Sequence, residues 1–409
     1  MTRTAWWRRL RRAWMLLGLA LVGLAAPQAW AAEPPPLAPQ VRIVFGDSVT
    51  ILLPLAELGP VQRVEIYLRP EGMVDTYTAD MVLDRNQARY EHPVQEKPLP
   101  LFGQVFYWFK IYPAQGAPYQ SPAFTFVYED NRFAWQSRTV APVQVYWYAG
   151  GADVAEMALN AAHIALKNAF VQWQGRIATD RPLRIYIYAS PRDLTSALAT
   201  LPPELQDHET RLAQHTVLTY DGLSPQARAE QQRYIAHQVA HIVLYDTVGE
   251  GYVHLPWWLR EGLAALAEPQ AAATEYQVLQ EAAAANQLYP LRDLCREPTF
   301  ATEDDERLAR AEAGSFVAHV FARYGPAGLQ RLLEVYTSGL GCEEGFQAAL
   351  GASLTALEDD WRAAQGLFPR REIEPGWVGL WVMLWMLAPF AALGWWHWRT
   401  RRPDVDFTL

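Results

Sequence analysis

The stretch Tyr234 to Tyr245, YIAHQVAHIVLY, sets two histidines four residues apart in a run that is otherwise largely apolar. On an α-helix that spacing is one turn, so His237 and His241 point the same way. A helix with such flanks is buried, and buried imidazoles need partners for their ring nitrogens. Two imidazoles on one helix face can hold a single zinc ion, although spacing alone does not separate this from two independently satisfied core histidines. A third residue narrows the choice. In LPWWLREGLAALAE, Leu255 to Glu268, Glu261 sits one turn into a predicted helix among apolar side chains. A buried carboxylate there is costly without a positive partner. Zinc held by His237, His241 and Glu261 answers both burial problems and leaves a fourth position for water. The competing arrangement pairs Glu261 with Arg260 or another arginine at the surface.

The rhythm of the chain changes once. Short alternating runs such as VRIVF, VQRVEIYL and QVFYWFKIY, separated by Pro, Gly, Asn and Asp, predict an immunoglobulin-like antiparallel β-sandwich over residues 33–138. From Val143 the pattern becomes VQVYWY, a helix from Asp153 to Gln174, LRIYIYAS, HTVLTY, and then mainly helices to about Ala364. This predicts an α+β domain over residues 143–367. Tyr324-Gly325-Pro326 is expected to separate two helical runs.

Uncharged segments stand at both ends. The first 12 residues carry five arginines and no acid, and Ala13 to Ala32 carry no charge, which predicts a signal peptide over residues 1–32 cleaved near Ala31 or Ala32, with an uncleaved anchor as the alternative. Pro375 to Trp396 is also uncharged and is followed by Arg399, Arg401 and Arg402. The expectation is a transmembrane helix over 375–396 with a cytoplasmic tail over 397–409. The whole then reads as a single-pass cell-membrane protein with an extracytoplasmic body and a cytoplasmic C-terminus.

Removing the five leader arginines takes the formal charge from −9 to −14. A body this acidic argues against nucleic acid as a partner. The only two cysteines, Cys295 and Cys342, lie in the part expected to be translocated, which favours a bridge. That bridge would close a loop worth about 4 kcal/mol in the chain-entropy model.

HQVAH (His237 to His241), PWWLREGLA (Pro256 to Ala264), SFVAHVFARYG (Ser315 to Gly325) and DDWRAAQG (Asp359 to Gly366) together resemble the gluzincin metallopeptidases, specifically the bacterial peptidase MA-like proteins. The resemblance covers Val143 to about Leu367. It implies a zincin-like metallopeptidase fold, and DNRFAW (Asp130 to Trp135) resembles the end of the β-domain that often precedes it. In such enzymes zinc polarises the scissile carbonyl, and a glutamate after the first histidine moves the proton of the attacking water. Here that position is Gln238, whose neutral amide can bond a water but is scarcely basic. Loss of a general base typically costs about 10² to 10⁴ in rate.

The resemblance implies two further departures. Four residues after the third ligand, where relatives place an acid that orients a ligand histidine, stands Ala265, so that contact is expected to be missing. Where relatives often carry a tyrosine stands Arg310, a cation that can contact an oxyanion. His254, just before LPWW, is a candidate substitute proton shuttle. His163 reads as a satisfied core or boundary histidine, His215 as a further candidate ligand or base, and Glu268 as a solvated helix end. The expected function is a zinc domain with weak or absent peptidase activity that binds a peptide or protein ligand. The alternatives are an active zinc endopeptidase or aminopeptidase with a substitute base, and a metal-free structural domain.

Overall fold

The computed structural model describes residues 37–401 except 72, 74, 179–180, 202–214, 222–223, 270–272 and 369–374. The expected signal segment lies outside these residues, as does most of the expected tail. By its internal contacts the chain divides into two compact units, Met1–Arg132 with Thr200–Leu205, and Phe133–Ala199 with Gln206–Leu409.

The first unit carries nine strands among its described residues: β1 (Gln40–Val44), β2 (Ser48–Pro54), β3 (Val61–Pro70), β4 (Tyr77–Asp80), β5 (Val82–Asp84), β6 (Gln87–Pro93), β7 (Gln104–Pro113), β8 (Tyr119–Gln120) and β9 (Phe124–Val127). They form two antiparallel sheets, ordered β1-β2-β6-β5 and β4-β3-β7-β8, with β9 also paired to β7. Alternate residues point inward, as the period of a strand requires. Val49, Ile51 and Leu53 of β2 share one core with Val64, Ile66 and Leu68 of β3 and with Val105, Phe109 and Ile111 of β7. Two sheets closing on one core make a β-sandwich.

The second unit opens with the sheet β10 (Gln136–Val140), β11 (Val143–Trp147), β12 (Leu183–Tyr188) and β13 (Thr216–Tyr220), in that order. β10 runs antiparallel to β11, while β11, β12 and β13 are parallel. β10, paired with β11, belongs to the second unit. The helices follow: α1 (Ala152–Trp173), α2 (Pro191–Leu198), α3 (Pro225–Val248), α4 (Trp257–Ala267), α5 (Ala273–Ala284), α6 (Glu303–Thr337), α7 (Cys342–Leu350), α8 (Leu354–Gln365) and α9 (Pro375–Thr400). Val143, Val145, Ile185 and Val217 of the sheet share a core with α1, α3, α4 and α6.

Helix punctuation follows the sequence. Ser224 caps α3, its hydroxyl accepting from Ala227 N at 3.1 Å, with Pro225 in the first turn. Thr302 and Asp305 form a reciprocal capping box on α6. The long α6 is broken at Gly325, which has φ of 64° and precedes Pro326, so two helical runs meet there as expected. Cys295 and Cys342 are bridged, with Cα atoms 5.9 Å apart.

The expected transmembrane helix is corrected. Residues Pro375–Thr400 are helical, yet among the described residues no helix is long and apolar enough to cross a membrane. The part with described side chains, Met383 to Thr400, carries Trp385, Trp395, Trp396 and Trp398 together with Pro389, Gly394, His397 and Arg399. Over this described part these residues interrupt the apolar run of its leucines and phenylalanine. The single-pass cell-membrane placement, with an extracytoplasmic body and a cytoplasmic C-terminus, falls with it.

Candidate metal centre

Helices α3 and α4 build the site. His237 and His241 are both buried on α3, with ring centroids 4.7 Å apart. Glu261 enters from the first half of α4, also buried. One ligand atom from each of these three residues lies within 4.8 Å of the others. The two Nε2 atoms are 3.0 Å apart. Glu261 Oε2 is 3.2 Å from His237 Nε2, and Oε1 is 3.5 Å from His241 Nε2. Of the competing arginine pairings, Arg260 does not form one, because it reaches Glu297 and lies over the Tyr252 ring, whereas the half-exposed Arg310 does approach Glu261, Nε to Oε2 at 3.3 Å.

Gly262 explains how α4 brings Glu261 so deep. A Cβ at this position would lie 2.3 Å from Val317 Cγ2 and 2.6 Å from the Ala313 carbonyl oxygen. Only glycine lets α4 and α6 approach this closely beside the carboxylate. Gly314 repeats the device one turn on, since its Cβ would lie 2.9 Å from that of Ala265.

The outer nitrogens of both rings are engaged. His237 Nδ1 contacts Glu268 Oε1 at 2.8 Å, and His241 Nδ1 contacts the Tyr252 hydroxyl at 3.1 Å. A carboxylate accepts only from Nδ1–H, so in the neutral ring it is the Nε2 lone pair of His237 that faces the triad. Burial works against a charged His237 ring, but Glu261 and Glu268 raise its pKa to about 9. Burial would likewise push the Glu261 carboxyl up, yet His241, His237 and Arg310 hold it well below the usual range. Glu261 Oε2 is buried and has no well-aligned hydrogen-bond partner despite these close cations. Convergent donors, occupied outer nitrogens and a buried carboxylate oxygen without a well-aligned hydrogen bond together fit a bound cation.

The triad forms the floor of a cleft of about 1010 Å³, whose walls include Gln238, His254, Arg296, Phe300, Glu306 and Arg310. Arg310 Nε lies 3.3 Å from Glu261 Oε2, and its Nη2 lies 2.7 Å from Glu306. His254 is an exposed wall residue. Gln238, Arg310 and His254 therefore share one cleft with His237, His241 and Glu261. Two other histidines do not join them. His163 Nδ1 bonds the Leu159 carbonyl within α1, and His215 pairs with Asp246 at 2.8 Å.

Glu268 differs from its reading as a solvated helix end, for its side chain is only 10% exposed and lies against His237. Helical spacing does not place it there, because the chain leaves the helix at Glu268, with φ −63° and ψ 152°. Tyr252, in the short 3₁₀ turn Gly249–His254, was missed because a turn has no periodicity to announce it.

Residues 172–365 match the family model described as Peptidase MA superfamily. No curated protein matches the sequence. Among solved structures the chain is similar to a bromine derivative of BhCBM56, at 18% identity over 23% of this chain and 92% of that one, with a TM-score of 0.19. It is also similar to a protein described as a myokine, at 16% identity over 23% and 93%, TM-score 0.19. A third is BC0361, a polysaccharide deacetylase from Bacillus cereus, at 10% identity over 41% and 57%, TM-score 0.20. Similarities this slight carry no argument. With the family match placed on the helices that build the triad, the chain carries a peptidase MA-like domain over residues 172–365.

Proposed function

We propose that this domain holds zinc through His237, His241 and Glu261, binds an extended peptide or protein segment in the adjoining cleft, and hydrolyses it weakly or not at all. Gln238 carries the reading. It lines the cleft immediately after the first ligand, where the resemblance calls for a general base, and an amide cannot take a proton from water near neutral pH.

Bound zinc would polarise a peptide carbonyl and acidify a water. The remaining work belongs to the chain. Arg310 faces the triad and is placed to meet negative charge developing on a substrate oxygen. The aromatic ring of Phe300 and the polar groups of Arg296 and Glu306 give the cleft surfaces for a peptide. His254 lies on the same wall, and a working peptidase would have to recruit it or Glu306 as a substitute base.

The reading is tested with fluorescently labelled, unstructured peptides and the zinc-loaded full chain. Saturable anisotropy with intact peptide by mass spectrometry is expected. Peptides cleaved at a rate ordinary for zinc peptidases, or peptides that never bind, would contradict it.

A further inference from the structure

We infer that Glu268 is the positioning residue for His237, replacing from beyond the end of α4 the acid absent at Ala265, and that Arg233 holds Glu268 in place. The inference rests on the zinc reading of the triad.

Both oxygens of Glu268 are used. Oε1 accepts from His237 Nδ1 at 2.8 Å, and Oε2 accepts from Arg233 Nε at 3.0 Å. Arg233 stands one turn before His237 on α3, so ligand and brace share a helix face. Its other arm pairs with Glu275 of α5. The contacts run as one chain to the imidazole: Glu275 of α5 to Arg233 of α3, Arg233 to Glu268 at the end of α4, and Glu268 to His237. The side chains of Glu268, Arg233 and Glu275 are 10%, 35% and 26% exposed. Burial of this order lets a salt-bridged network fix geometry instead of fraying into solvent.

Ala265 cannot do this work. Its methyl has no polar atom to offer His237 and lies against α6, 2.9 Å from where a Cβ on Gly314 would stand. At Glu268 the chain leaves the helix, with φ −63° and ψ 152°. The turn frees its side chain to swing back along α4 to His237. A carboxylate so placed fixes the tautomer that exposes the Nε2 lone pair and makes the ring a better donor to a metal.

The test is chelator competition for zinc on the full chain, with imidazole ¹⁵N spectra of the metal-free protein. Glu268→Ala is expected to bind zinc about 10- to 100-fold more weakly than the parent. The His237 Nδ1–H signature of the parent should be lost from the folded, metal-free variant. Arg233→Met should produce a smaller loss in the same direction. If Glu268→Ala does not fold, Glu268→Gln decides. It keeps size and one acceptor but no charge, and should still weaken zinc several-fold. Unchanged affinity in the folded variant, with the parent binding zinc, overturns this inference alone. A parent that binds no zinc overturns the zinc reading with it.

Discussion

The Nε2 atoms of His237 and His241 stand 3.0 Å apart over the Glu261 carboxylate, with both Nδ1 atoms already engaged elsewhere. Two imidazole nitrogens this close need a proton or a metal ion between them. Much of the chemistry of this domain follows from that arrangement.

Removing any one donor should therefore empty the site. His237→Ala, His241→Ala and Glu261→Ala are each expected to fall from about one zinc per chain to near none by elemental analysis after dialysis. Zinc at a hundred times its dissociation constant should stabilise the parent by about 2.7 kcal/mol and leave the three variants unmoved. A parent whose melting temperature ignores zinc would contradict the ligand set.

Gly262→Ala should damage fold and site together. The new methyl would meet Val317 and the Ala313 carbonyl, at a cost of about 1–3 kcal/mol. Because Glu261 is its neighbour, weaker zinc binding should accompany the lower melting temperature. A variant as stable as the parent would show that α4 and α6 pack more loosely than this.

Glu312 on α6 predicts a pH dependence away from the metal. It is fully buried, its Oε1 accepts from Tyr289 N at 3.0 Å, and its Oε2 has no hydrogen-bond partner. Burial raises its pKa from 4.5 to about 8, against the Tyr289 N–H and Arg362 and with help from Glu358. A pKa raised on folding means that the native state binds the proton more tightly. The stabilisation is full below about pH 4.5 and is lost as pH climbs towards 8. Each tenfold change in proton affinity is worth about 1.4 kcal/mol, so the effect across this window is a few kcal/mol at most. Glu312→Gln should flatten the fall in melting temperature between pH 5 and 8.5. Parallel curves for parent and variant would contradict it.

Breaking the disulfide should cost stability chiefly through the unfolded chain. Cys342→Ser is expected to lower stability by about 2–4 kcal/mol under oxidising conditions and to make the protein indifferent to reductant. A reductant effect that persists in the variant would place the sensitivity elsewhere.

What was legible in the sequence was what repeats. Alternation gave the strands of the first unit, and one-turn spacing gave His237 and His241. Burial arithmetic gave Glu261, because an apolar helix cannot hide a carboxylate without a partner. Contacts made beyond regular structure were not legible. Glu268 acts from the residue at which α4 ends, and Tyr252 acts from a 3₁₀ turn. The segment 375–396 was read as a membrane span from its lack of charge, and among the described residues no helix is long and apolar enough to be one.

The most direct measurement compares the parent with Gln238→Glu, both zinc-loaded, on one unstructured protein substrate. The swap replaces an amide nitrogen by an oxygen, so packing is nearly unchanged and a gain reports the restored base. Little or no hydrolysis by the parent and a rise of about 10²-fold or more in the variant is predicted. A parent already turning over at an ordinary zinc-dependent rate would contradict the account, because some group other than residue 238 would then be moving the proton.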